Sequence, residues 1–250
     1  SFKHCSYSCV YCQLGETHFK CVDSEIFYSP IDIFNFVKEK VRDLAEKNEK
    51  IDYLTFVADG EPTLDKNLGE MVDLLRTLKF KIAVITNGSL VWKKQVQEAL
   101  IHCDLVSLKV DGGNEIVWKQ VNRPSNKLTW ERFSNGLQEF AVNFPGKIIT
   151  ETMLVKGLND SDKNLASLAN LISNLKPDAA YISVPIRPPA KNWVVPPDEK
   201  VLQKAYQFFS KNEKIHKVQF LTDYEGNDFT IGKKVEQDFL AIISVHPMRE

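Results

Sequence analysis

Cys5-Ser-Tyr-Ser-Cys9-Val-Tyr-Cys12 places three cysteines, spaced by three and then two residues, on a short stretch that also carries Tyr7 and Tyr11. A closed tetrahedral zinc site takes four ligands, usually from cysteine pairs of matched spacing. Three thiolates on one loop instead suit three corners of a [4Fe–4S] cube, leaving the fourth iron without a protein ligand. An open iron can take a substrate or a cofactor. The competing reading is a zinc knot completed by His4 or His18, although no second cysteine pair exists in the sequence. Cys103 precedes an apolar run and reads as a small buried side chain, and Cys21 as a loop cysteine that could sit near the cluster.

Working outward, Gln13–Phe27 is polar and reads as an irregular connection. Ser29-Pro30 then gives a helix start, with serine as the N-cap and proline at the first helical position. Phe34, Val37, Val41 and Leu44 follow at helical spacing. Strand-like runs lie at 52–58, 81–86, 105–110, 147–155 and 179–185, rich in β-branched and aromatic residues. Helical stripes separate them: Leu68, Met71, Val72, Leu75 and Leu78; a segment over 91–101; Trp130, Phe133, Leu137 and Phe140; Leu165, Leu168, Ile172 and Leu175; and Val201, Leu202, Ala205 and Phe208. Strands alternating with helices predict βαβ units and a parallel sheet. The stretch 185–197, with five prolines and Trp193, reads as a rigid loop. No repeat or low-complexity tract interrupts the series.

The bulk numbers exclude several classes. A chain of 250 residues, 26% charged and 43% apolar, has the composition of a globular protein able to bury a full core. No apolar run approaches the roughly 20 residues that span a bilayer. A formal net charge of −1 gives no global positive field for nucleic acid. Five cysteines, three of them clustered, argue against a disulfide scaffold and for a reducing compartment, so the expected location is cytoplasmic.

The cysteine spacing, the aromatic Tyr11 before the third cysteine, and Gly60-Glu61-Pro62-Thr63 after the strand-like 51–58 together resemble the radical S-adenosylmethionine (SAM) superfamily. Within it the chain is similar to the group named for wyosine (tRNA-Phe imidazoguanosine) synthetases. That similarity runs through Val10-Tyr-Cys-Gln-Leu-Gly15, Thr86-Asn-Gly-Ser-Leu90, Asn122-Arg-Pro124, Glu151-Thr-Met-Leu-Val-Lys-Gly-Leu-Asn-Asp160 and Pro185-Ile-Arg-Pro-Pro189. The resemblance implies an α/β fold, a partial (β/α)6 TIM-like barrel with a small C-terminal appendage. Its core would cover residues 1–213, and an extension over 214–250 would hold the strand Val218–Leu221 and the segment 224–246. It also implies a strand ahead of the cysteine loop, not included in a chain that starts at Ser1, and a continuation past Glu250 is expected.

In parallel α/β barrels the active site lies at the C-terminal ends of the strands. Gly60-Glu61-Pro62, Thr86-Asn87-Gly88, Asp111, the 156–160 stretch and Arg187 all follow directly on a strand-like run. The resemblance implies that Cys5, Cys9 and Cys12 hold a [4Fe–4S] cluster, with Tyr11 near the adenine of SAM and Gly60, Glu61 and Pro62 gripping its amino group. Asn87, Asp111 and Arg123 would meet the ribose or carboxylate. Taken alone, Tyr11 reads equally as a packing aromatic, Gly-Glu-Pro as a strand-to-helix turn, and Arg123 as half of a surface ion pair. Glu151, Lys156, Asn159, Asp160 and Arg187 are the substrate-side candidates. Thr150 and Thr152 share one face of their strand and Glu151 the other, and alternation does not say which enters the lumen.

The implied activity is reductive cleavage of SAM to a 5′-deoxyadenosyl radical that abstracts hydrogen from a substrate, with a flavodoxin or ferredoxin-type reductant as partner. The alternative is tRNA base modification of the wyosine-synthetase kind. Such enzymes resemble two-cluster proteins, whereas this chain has no second cysteine triplet and lacks the basic excess that tRNA binding brings. A further alternative is a non-catalytic iron–sulfur electron carrier or zinc/RNA-binding module, which has no use for Gly60-Glu61-Pro62.

Overall fold

Alternating apolar patterns of period two and period 3.6 leave the chain one economical way to bury both, a parallel sheet with helices on its outer face. The computed structural model describes residues 3–221. Its strands are β1 (Tyr53–Phe56), β2 (Lys81–Thr86), β3 (Leu105–Lys109), β4 (Lys147–Met153), β5 (Ala179–Ser183) and β6 (Val218–Leu221). Between and before them lie the helices α1 (Pro30–Glu46), α2 (Leu68–Arg76), α3 (Lys94–Leu100), α4 (Glu115–Asn122), α5 (Trp130–Asn143), α6 (Asp162–Leu175) and α7 (Glu199–Ser210). All neighbours in the sheet are parallel, in the order β1-β2-β3-β4-β5-β6, and β1 and β6 do not pair. The result is an open partial barrel.

Ser29 starts α1 as expected, its Oγ accepting the Asp32 N–H at 3.4 Å. α4 has no counterpart in the sequence expectation. Asn114 caps it by accepting the Val117 N–H at 3.1 Å, and Val117, Trp118 and Val121 are buried on one side. Its eight residues are a short stripe, masked by the Gly112-Gly113 turn before it.

The strand at the C-terminal end, expected as part of an appendage, belongs to the sheet. Val218–Leu221 does not stand apart from the barrel. It pairs parallel with β5, from Ala180 opposite Val218 to Ser183 opposite Leu221, as the sixth strand of the sheet. The 224–246 segment lies outside the described residues. Ahead of the cysteines, His4 forms a parallel bridge with Gly60, so the incoming chain runs alongside the end of β1.

Register assigns the two faces. Ile82, Val84, Val106, Leu108, Ile148, Ala180 and Ile182 point outward into the main core, where helix residues such as Leu137, Leu165 and Leu168 meet them. Thr150 and Thr152 are fully buried on this side. The inner face carries a smaller floor of Ala83, Leu105, Ile149 and Ala179, flanked by Tyr53 and Tyr181. Leu108 is fully buried. Truncating it to alanine removes transfer energy and leaves a cavity, so Leu108→Ala is expected to cost about 2–5 kcal/mol. A lower denaturant midpoint at unchanged slope would register that loss.

Asp104 and Asp178 stitch together the N-terminal end of the sheet. The Ile82 N–H donates to Asp104 at 2.7 Å, and the Ile148 N–H to Asp178 at 2.9 Å. Two clefts of about 450 and 270 Å³ open at this end, both touching Gly146 and Asp178. Neither shares a residue with the cysteine loop. Backbone hydrogen bonds at this end serve stability, whereas chemistry in such barrels sits at the other.

Candidate functional site

The cysteine loop lies across the C-terminal mouth of the sheet, tied down by its backbone. The Ser8 N–H donates to Asn122 O at 3.1 Å, Val10 N–H to Val121 O at 2.9 Å, and Ser125 N–H to Ser6 O at 2.8 Å. From the other side, Cys21 N–H donates to Cys5 O at 3.0 Å and Glu61 N–H to His4 O at 2.9 Å. Tyr7 is the loop's anchor. It is 1% exposed, accepts a hydrogen bond from Trp118 Nε1 at 2.9 Å, and meets Trp118 and Phe133 edge-on. Ser6 and Ser89 share a buried hydroxyl bond of 2.6 Å.

Each of the three sulfurs receives at least one N–H donor. Cys5 Sγ takes the Asn87 amide and the Tyr7 backbone N–H, both at 3.5 Å. Cys9 Sγ takes the Asn122 amide at 3.5 Å, and Cys12 Sγ the Lys3 ammonium at 3.0 Å. Burial pushes the Cys5 thiol up to about 11, reinforced by the Glu61 carboxylate. Burial likewise pushes Cys9 up to about 12, reinforced by Asp111. Without iron these thiols keep their protons at neutral pH, and a metal must displace them. Among the described residues no three His, Cys, Asp or Glu side chains converge tightly enough for one metal ion. His4 packs against Phe27 at 4.8 Å between ring centroids. Three thiols on one loop, each with a hydrogen bond to sulfur, suit the corners of a polynuclear cluster, where such bonds tune the group.

Several polar residues that look ligand-binding in the sequence are bonded to the backbone and side chains of the mouth itself. Glu61 is 3% exposed, and its carboxylate accepts from Thr63 N–H (3.1 Å), Thr63 Oγ1 (2.6 Å), Thr86 Oγ1 (2.5 Å) and Asn87 N–H (2.8 Å). It joins the ends of β1 and β2. Burial still pushes its pKa up against those donors. Asn87 spends its side chain on Cys5, on Ser6 at 3.1 Å and on the Ser89 N–H at 2.8 Å. Asp111 accepts from the Tyr11 phenol, from Asn122 Nδ2 at 2.6 Å and from the Met153 N–H at 2.8 Å. Its own pKa rises through burial, which outweighs Lys109 and these donors. Asn159 donates to the carbonyls of Asp111 and Met153, both at 2.8 Å, and accepts from the Val155 N–H.

The ladder register brings a polar row across the inner face just below the loop: Lys109 opposite Glu151, Glu151 opposite Tyr181, Tyr181 opposite Gln219. Lys109 Nζ bonds Glu151 Oε1 at 2.6 Å and sits 5.3 Å from the Tyr11 ring centroid. Ser183 Oγ reaches the same Glu151 oxygen at 2.9 Å. Burial alone would lower the Lys109 pKa, but the Glu151 and Asp111 carboxylates outweigh it and hold the ammonium charged. Glu151 thus enters the lumen.

The other candidates stand outside this polar row. Lys156 pairs with Asp198 at 2.9 Å on the surface, and Asp160 closes a turn by accepting the Gly157 N–H. Arg187 bonds Gln13 on the cysteine loop at 2.8 Å. Arg123 ends α4 in the left-handed conformation (φ 46°), with its charge acting on Glu16. Lys3, Asn122, Tyr181 and Gln219 were not among the sequence candidates. Asn122 had a signal, its place in the Asn-Arg-Pro stretch. The row partners had none, because register is not written in any single strand.

Residues 1–169 match the family described as the Radical SAM superfamily. UPF0026 protein MJ1312 of Methanocaldococcus jannaschii is 44% identical over 248 residues, spanning 99% of this chain and 77% of the relative. A radical SAM methyltransferase from Sphaerobacter thermophilus aligns with a TM-score of 0.67 at 16% identity, over 90% of this chain and 65% of that one. TYW1 with a lysine-pyruvate adduct bound aligns with a TM-score of 0.64 at 14% identity, over 85% and 71% of the two chains. At such identities the structural likeness speaks for the fold alone. The family match over most of the chain, together with the UPF0026 relative, shows that this protein belongs to the radical SAM superfamily, whose common ground is SAM-dependent radical chemistry.

Proposed function

We propose that the protein is a radical SAM enzyme that takes a hydrogen atom from a substrate held against the inner face of the sheet. The observation that carries this reading is the set of N–H donors on all three sulfurs at the barrel mouth. What a [4Fe–4S] cluster and SAM supply there, when bound, is reductive cleavage of SAM to methionine and a 5′-deoxyadenosyl radical. Cys5, Cys9 and Cys12 would hold the cluster. Tyr11 and Lys109 form the wall between that loop and the lumen, and Glu151, Tyr181 and Gln219 offer hydrogen-bonding groups to the substrate. A one-electron donor of the flavodoxin or ferredoxin type would serve as reductant.

Anaerobically reconstituted protein, reduced with dithionite in the presence of SAM, is expected to release 5′-deoxyadenosine. A protein that keeps its cluster yet yields none would fit an electron carrier instead. Cys9→Ala is expected to lose at least nine-tenths of the iron and sulfide (roughly, since each corner thiolate is required) while its far-UV circular dichroism stays unchanged. The fold survives because Asn122, the partner of Cys9, keeps its bond to Asp111.

A second reading, tRNA base modification of the wyosine-synthetase kind, is favoured by the sequence resemblance that runs from Val10 to Pro189 and opposed by the net charge of −1. Faster 5′-deoxyadenosine release with tRNA than with small metabolites would favour it.

A further inference from the structure

The three sulfur corners are not equivalent. Cys5 and Cys9 are met by neutral donors, the amides of Asn87 and Asn122 and the backbone N–H of Tyr7. Cys12 is met by a full positive charge, Lys3 Nζ at 3.0 Å. The lysine is seated rather than swinging free, because its ammonium also donates to Gly15 O at 2.8 Å. That carbonyl belongs to a turn in which the Gly15 N–H donates back to Cys12 O at 3.1 Å, with Gly15 at φ +78°, where glycine is favoured. No ion pair among the described residues joins Lys3 to a carboxylate, so its charge faces sulfur. That charge also reaches Cys5, where it opposes the effect of burial.

We propose that Lys3 is a positioning residue that sets the reduction potential of the iron–sulfur group through the Cys12 corner. The inference rests on the radical SAM reading above, because it needs a cluster on the three thiolates. Adding an electron makes that group more negative, and a nearby ammonium stabilises the reduced form more than the oxidised one. Lys3 therefore eases the entry of the electron that the reaction consumes. The amides of Asn87 and Asn122 orient their sulfurs without contributing a net charge.

The test is an electron paramagnetic resonance redox titration of reconstituted full-length protein, comparing wild type with Lys3→Gln and Lys3→Arg. Lys3→Gln is expected to retain its iron and to need a lower potential for half-reduction, by about tenfold in the reduced-to-oxidised ratio, or about 59 mV for one electron. Lys3→Arg, which keeps the charge, should titrate close to wild type. A Lys3→Gln protein with the wild-type midpoint overturns the inference, whether or not its cluster content falls, because a purely structural lysine changes occupancy and not potential. Wild-type protein that holds no cluster overturns the radical SAM reading itself, and the inference with it.

Discussion

Gly60→Ala is expected to yield protein that binds little or no iron and unfolds well below wild type. A Cβ at this position would lie 1.9 Å from His4 O and 2.7 Å from His4 C, both backbone atoms that no rotamer change can move. The requirement is one of space. Here the strand-like segment leading into the cysteine loop runs directly against the end of β1, and the Glu61 N–H bonds the same His4 carbonyl. Relief means pushing that segment outward, and with it Cys5, whose carbonyl and sulfur are bonded to Cys21 and Asn87. Overpacking against backbone costs about 3 kcal/mol at the upper end of the usual range. Iron content and a denaturant midpoint would both be measured. Normal iron loading at unchanged stability would show that the loop does not depend on this contact.

Glu61→Ala is the second large effect, and its direction differs from what Gly-Glu-Pro suggests in the sequence. As a grip on the SAM amino group, Glu61 could be removed with the fold intact and only SAM affinity reduced. As placed, its carboxylate satisfies the N–H groups of Thr63 and Asn87 and the hydroxyls of Thr63 and Thr86. Hydroxyls can turn to other acceptors, but the two N–H groups cannot. A buried donor left without a partner costs about 1–3 kcal/mol, so the loss should be on the order of 2–6 kcal/mol for the pair. Asn87 would also lose the support that aims its amide at Cys5 and Ser6. Glu61→Gln keeps an acceptor and should retain most of the stability. Equal stability in wild type and Glu61→Ala would return the residue to a ligand-binding role.

What was legible in the sequence was whatever is written locally. The cysteine triplet, the Ser29 cap and the strand–helix alternation each depend on neighbours within a few residues, and all reappear in the structure. So does the mouth, because strand ends follow from strand positions. The residue types of Glu61, Asn87, Asp111 and Asn159 were also informative, but only of capacity. A buried polar side chain in a crowded mouth bonds what is nearest, and here that is the backbone and side chains of the same loops.

What was hidden is what pairing creates. Val218–Leu221 is four residues long with no alternation strong enough to distinguish a sheet strand from an appendage, and its partner, β5, lies more than thirty residues earlier. The Lys109–Glu151–Tyr181–Gln219 row exists only once four strands are set in register. Lys3 reaches Cys12 because the loop folds back at Gly15, a closure that neither residue announces.

Whether three cysteine corners leave an open iron that takes SAM is decided by electron paramagnetic resonance of the reconstituted, reduced protein before and after SAM is added. The expected spectrum is a reduced [4Fe–4S] signal whose shape changes on adding SAM. A signal that SAM leaves unaltered, or a protein that retains zinc and no iron, would contradict it.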